Sequence, residues 1–136
     1  MAEPRYPWRL DTNDRYREVI KVVMGLATGS LVVPVIFLRD VLRLPSDLPL
    51  SQALDGRAYW SWACLALSVL FGIVFHYASA KWVRLAWEQP VTFFGIKTND
   101  NVVERVLEVS FWGTIIAFGI GIALIVSFLV TVIPKP

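Results

Sequence analysis

The sequence predicts an all-α integral membrane protein, one domain over residues 1–136, whose helices cross a bilayer three times. Three observations predict it. Hydrophobic residues make up 56% of the chain and charged residues 18%, against about 45–50% and about 25% in ordinary soluble domains. The apolar residues are gathered into three long uncharged stretches. Aromatic residues stand at the edges of those stretches, where a ring with an apolar body and a polar edge is best accommodated.

The stretches are Val22–Leu38, Ala58–Ala80 and Val109–Ile133, of 17, 23 and 25 residues. A helix needs ~20 apolar residues, range about 17–25, to cross ~30 Å of hydrocarbon. The expected spans are therefore about 20–38, 58–81 and 109–133. The first gains length through Val19 and Ile20, with Lys21 snorkelling to the headgroups. A chain of 136 residues has little protein of its own in which to bury three such helices. The first stretch is not expected to be a cleaved signal peptide, because Glu3, Asp11, Asp14 and Glu18 precede it and no A-x-A site follows. Tyr59, Trp60 and Trp62 open the second span, Tyr77, Trp82 and Trp87 close it, and Phe111 and Trp112 open the third.

Orientation follows from lysine and arginine in the short flanks. Arg5, Arg9, Arg15, Arg17 and Lys21 accompany the first span, and Lys81, Arg84, Lys97 and Arg105 lie between the second and third. Arg39, Arg43 and Arg57 lie between the first and second, and Lys135 follows the third. Nine positive charges against four place the N-terminus in the cytoplasm and the C-terminus outside. The expected location is a bacterial inner (plasma) membrane.

Pro4 and Pro7 predict an extended segment over residues 1–10, lying on the membrane surface, with Asp11 or Thr12 capping the first helix. Pro34 removes one helical hydrogen bond and crowds the carbonyl of Ser30, which predicts a kink, either a fixed bend or a hinge. The first loop is leucine-rich and broken by Pro45 and Pro49. It predicts a short interfacial helix near Leu50–Leu54 that ends at Gly56, or an irregular loop. Pro90 ends the second helix near Trp87. Asn99 or Asp100 caps the third, and Asn101 with Glu104 has capping-box spacing. That helix, about 101–133, would be about 50 Å long, so Glu104, Arg105 and Glu108 project from the hydrocarbon.

Several function classes are excluded. A net charge of +2 with no dense basic run excludes nucleic acid as a partner. One cysteine, Cys64, and one histidine, His76, exclude an intrachain disulfide and a zinc or iron site, so neither metal nor cofactor is expected. No phosphate-binding, dinucleotide-binding or zinc-protease motif is present, and the spans contain no carboxylate. With no acid/base couple, the chain is not expected to be an enzyme.

The remaining signal is small residues at four-residue spacing. Gly25 and Gly29 mark the first span, Ser68 and Gly72 the second, and Gly113, Ala117 and Gly121 the third. In lipid, helices associate where small residues let backbones approach. The expected partners are the lipid bilayer and the chain itself, another membrane protein, or both. His76, with Cys64, Ser68 and Gly72 on one row, is an intramembrane polar group suited to a switch or gate, or to a bond with a backbone carbonyl or Ser79. Pro34 is the matching hinge position. Arg84 and Glu108, at similar depth, are expected to pair. The function these features predict is an accessory or scaffolding subunit of a larger membrane complex. Two alternatives stand beside it: a homo-oligomeric pore or membrane-permeabilising effector, holin-like or antiphage, and a dimeric half-transporter.

Overall fold

A computed structural model describes residues 7–41, 54–93 and 95–132, with Pro45, Asp47, Pro49 and Ser51 between the first two stretches. The described residues form three long helices: α1, Pro7–Val41; α2, Gly56–Ala86; and α3, Asp100–Val132. They run alternately up and down. Two residues of β1, Thr92–Phe93, pair antiparallel with two of β2, Ile96–Lys97, in the connection between α2 and α3. Gly95 turns that hairpin at φ +86°, a conformation that glycine adopts without steric cost.

The helix ends follow from local chemistry, with two departures from expectation. α1 starts at Pro7, four residues before Asp11. Proline's missing N–H is no loss in the first turn and its fixed φ is already helical, so here it starts a helix rather than preventing one. The Thr12 hydroxyl donates to the Trp8 carbonyl (2.9 Å) inside the helix instead of capping it. The expected extended segment is thus corrected from residue 7 onwards, and residues 1–6 lie outside the described residues. Gly56 opens α2 rather than ending a preceding helix. The cap is Asp55, whose carboxylate accepts from the Arg57 N–H (2.8 Å) and the Ala58 N–H (3.2 Å). The proposed short helix near Leu50–Leu54 falls mostly outside the described residues.

α2 stops where Pro90 requires. The Gln89 N–H donates to the Arg84 carbonyl (3.0 Å) and the Glu88 N–H to the Leu85 carbonyl (2.9 Å), with Glu88 in the left-handed region at φ 54°. This is the Schellman arrangement, with glutamate in the place that glycine usually takes. α3 begins with the Val102 and Val103 N–H groups on the Asn99 carbonyl (3.1 and 3.4 Å).

Eight of the nine buried residues of α2 are separated by alternating steps of three and four: Ala58, Ser61, Leu65, Ser68, Gly72, Phe75, Ser79 and Trp82, with Ala78 buried beside Ser79. On α3, Val103, Ser110, Thr114, Ala117, Gly121 and Phe128 keep the same 3.5-residue repeat. Such a repeat holds one seam against a partner while the two helices coil left-handedly. α2 and α3 accordingly share the largest interface of the molecule. Asn13, Ile20 and Ala27 of α1 are buried one heptad apart, against the hairpin that α2 and α3 form. Where α1 and α3 end and α2 begins, Leu38, Ala58 and Phe128 close the bundle.

Two helices, α2 and α3, are long and apolar enough to cross a membrane, with mean hydropathy of 1.8 and 2.8 over their most apolar stretches. Only 33% and 17% of those stretches is buried within the protein. Their outer faces, with Leu67, Leu70 and Ile73 on α2 and Ile116, Ile120 and Val126 on α3, are exposed apolar surface. α1 has the shortest uncharged stretch and a charged first half, in which Arg15–Asp11, Arg17–Asp14 and Lys21–Glu18 pair along the helix.

Candidate functional site

The small residues named from the sequence divide into two groups. Gly72, Gly113 and Gly121 face other helices. A Cβ on Gly72 would meet the Met24 side chain of α1, one on Gly113 would lie 3.0 Å from the Phe71 ring, and one on Gly121 would lie 2.8 Å from Leu65 Cγ. Ala117 and Ser68 are buried in the same α2–α3 seam. Gly25 and Gly29 of α1 form the second group. Nothing lies within 4 Å of a Cβ at either position, and both are exposed.

Serine hydroxyls stitch the seam. Ser61 Oγ donates to the Gly121 carbonyl (2.7 Å), and Ser68 Oγ donates to the Thr114 carbonyl (2.8 Å). Both serines are fully buried. The bonds are possible because Gly121 and Ala117 let the backbones come close. Thr114 Oγ1 in turn donates to the Ser110 carbonyl (2.8 Å), and Ser110 Oγ to the Val106 carbonyl, so these hydroxyls are satisfied along α3 itself.

The three helices meet differently at the other end of the bundle, where α1 and α3 begin and α2 ends. Asn13 of α1 and Ser79 of α2 are buried together and bonded, with Asn13 Nδ2 2.9 Å from Ser79 Oγ and Ser79 Oγ 3.1 Å from Asn13 Oδ1. Arg9 of α1 pairs with Glu104 of α3 at 3.0 Å, both about half exposed. Between α1 and α3 these contacts bound an open cleft of about 370 Å³. Phe75 and Trp82 form its buried floor beside Asn13. Tyr16, Phe111 and Trp112 form its aromatic wall, with Tyr16 4.9 Å and Trp112 5.6 Å from Phe111 between ring centroids. Trp8 stands at the rim with Arg9, Glu104 and Glu108.

The remaining expectations fare unevenly. Among the described residues Arg84 and Glu108 form no ion pair, and Arg9–Glu104 pairs α1 with α3 instead. His76 is half-buried with its ring edge-on to Phe75 (6.0 Å), and Ser79, its suggested partner, is bonded to Asn13. Cys64, Ser68, Gly72 and His76 do not line the cleft. Pro34 sits inside α1, which continues through it. Among the described residues no group of three His, Cys, Asp or Glu side chains is placed to hold a metal ion. The aromatic cleft was not anticipated. Its signal lay in two helical rows, Trp8–Thr12–Tyr16 and Glu104–Glu108–Trp112, each spaced by four. Comparison with protein-family models, with curated proteins and with solved structures gives no match.

Proposed function

We propose that the chain is a three-span membrane protein, with its N-terminus in the cytoplasm of a bacterial cell, that serves as an accessory or scaffolding subunit. It docks to a larger membrane complex through the outer face of α1. One observation carries this reading. The seam within the protomer uses Gly72, Gly113, Ala117 and Gly121, and leaves Gly25 and Gly29 open on a continuous apolar face with Val22, Leu26, Val33 and Ile36. In lipid an apolar side chain gains nothing by facing another helix rather than acyl chains. Close backbone approach is what drives association, and glycines without a neighbour supply it. The same exposed residues support α1 as the third span, since an apolar row this long is unfavourable in water. The imbalance of nine positive charges over four supports the orientation.

Ser61, Ser68 and Thr114 are buried in the α2–α3 seam, and Ile116, Ile120 and Val126 on the outer face of α3 are aliphatic, which gives the pore alternative little support. The test is in-membrane cross-linking from a cysteine at Val33, with native mass of the extracted product. A partner of a different mass at fixed stoichiometry, lost in a Gly25→Leu/Gly29→Leu variant of unchanged helicity, is the expected result. A ladder of the chain with itself would favour the homo-oligomer. A monomer in both cases would refute docking through α1.

A further inference from the structure

The cleft between α1 and α3 has no part in docking through Gly25 and Gly29. We propose that it binds an alkylammonium group, presented either as a lipid head or as a free lipophilic cation. Its volume of about 370 Å³ lies within the ~300–1,000 Å³ of small-ligand sites.

Charge and ring chemistry choose the ligand. Among the described residues three charged side chains reach the rim: Arg9, Glu104 and Glu108. Arg9 and Glu104 neutralise each other at 3.0 Å, and Glu108 has no ion-pair partner among the described residues. These described side chains sum to a net negative charge at the rim, which favours a cation over a carboxylate or phosphate. The wall beneath it is aromatic, and ring faces attract cations through their quadrupoles. The protein already uses this attraction at the mouth, where the Arg9 guanidinium lies 5.3 Å from the centroid of the Trp8 ring. On the floor, Phe75 and Trp82 are apolar bodies and Asn13 is committed to Ser79. A substituted ammonium, satisfied by ring faces and a carboxylate, suits these walls better than a head that needs many hydrogen bonds.

The place of Glu108 supplies the tail. It is the last charged residue before the uncharged stretch of α3. Val109, Trp112 and Ile116 then continue along the helix as exposed apolar surface. An alkyl chain whose ammonium sits by Glu108 can lie along that row. This step alone rests on the membrane placement proposed above; recognition of the head does not.

The experiment titrates the purified chain, in uncharged maltoside micelles, with benzyltrimethylammonium and with its uncharged isostere neopentylbenzene, following tryptophan emission. Saturable quenching by the cation and none by the isostere is expected. Glu108→Gln should weaken binding about tenfold, the equivalent of ~1.4 kcal/mol. Trp112→Leu should weaken it by roughly 3- to 30-fold, the range of a cation–ring contact. Adding phosphatidylcholine separates the sources: competition with the probe identifies a lipid head, and undisturbed binding identifies a free cation. Equal quenching by the isostere, no saturable signal, or wild-type affinity in both variants would overturn the proposal. Glu108 is exposed and has no ion-pair partner among the described residues, so its variant stays informative even if Trp112→Leu disturbs folding. Cross-linking through α1 is read independently, so either proposal can fail without the other.

Discussion

Replacing Gly121 with alanine adds one methyl group where α3 packs tightly on α2. The new Cβ would lie 2.8 Å from Leu65 Cγ, 3.0 Å from Leu65 Cδ2 and 3.2 Å from the Ser61 carbonyl oxygen. Leu65 is fully buried and the Ser61 oxygen is backbone, so neither can swing aside. Overpacking of this kind costs about 1–3 kcal/mol. If the helices part to relieve it, the 2.7 Å bond from Ser61 Oγ to the Gly121 carbonyl stretches. Interhelical side-chain bonds in membranes average about 0.6 kcal/mol, with a maximum near ~1.7. Against these losses stands the helix propensity of alanine over glycine, about 0.8–1.0 kcal/mol. The net expectation is a destabilisation of about 1–3 kcal/mol. Reversible unfolding in mixed micelles of rising dodecyl sulfate fraction, followed by tryptophan emission, measures it. Gly29→Ala is the internal comparison: with nothing within 4 Å, it should leave the isolated protomer unchanged or slightly more stable. Gly121→Ala as stable as wild type would show that the seam is not close-packed as described.

Two further outcomes follow from named contacts. Asn13→Ala or Ser79→Ala leaves one buried polar group without its partner and should cost about 1–3 kcal/mol. The double variant should cost less than the sum of the two, and strict additivity in a double-mutant cycle would mean that the pair does not interact. Asp55→Ala removes the acceptor of two N–H groups at the start of α2 and should cost about 0.5–2 kcal/mol, whereas Asp55→Asn should recover most of it. Both are read in the same micelle titration, and an unchanged midpoint for Asp55→Ala would refute the cap.

The extents of α2 and α3 were legible because uncharged runs between charged flanks leave little choice, and Asn99 and Pro90 mark their ends. The face each helix turns inward is less evident in the sequence. Small residues at four-residue spacing suggested one row, Cys64, Ser68, Gly72 and His76. Each step of four advances about 400° around a helix, so such a row drifts by about 40° per step. Only its middle members, Ser68 and Gly72, are buried in the packing. The alternation of three and four that does stay on the seam was present in the sequence from Ala58 to Trp82, but it is disguised by mixing serine and glycine with leucine and phenylalanine. Pro4 and Pro7 together point to an extended segment, although the first turn of a helix is where proline fits, and α1 starts at Pro7. The Arg9–Glu104 tie and the cleft above it join residues 95 apart in the chain. They depend on how the helices are rotated about their axes, which local pattern does not determine.

The two serine clasps have a mechanical consequence. Ser61 with Gly121 and Ser68 with Thr114 sit at equivalent levels one heptad apart, about 10 Å along the axis. Sliding α2 along α3 by a single residue would strip both hydroxyls of their acceptors at once and drive Leu65 into the neighbouring backbone. The pair is therefore stiff against axial shear. A push on the connecting hairpin therefore meets both bonds together, whereas the middle of α1 carries no side-chain hydrogen bond to either neighbour among the described residues.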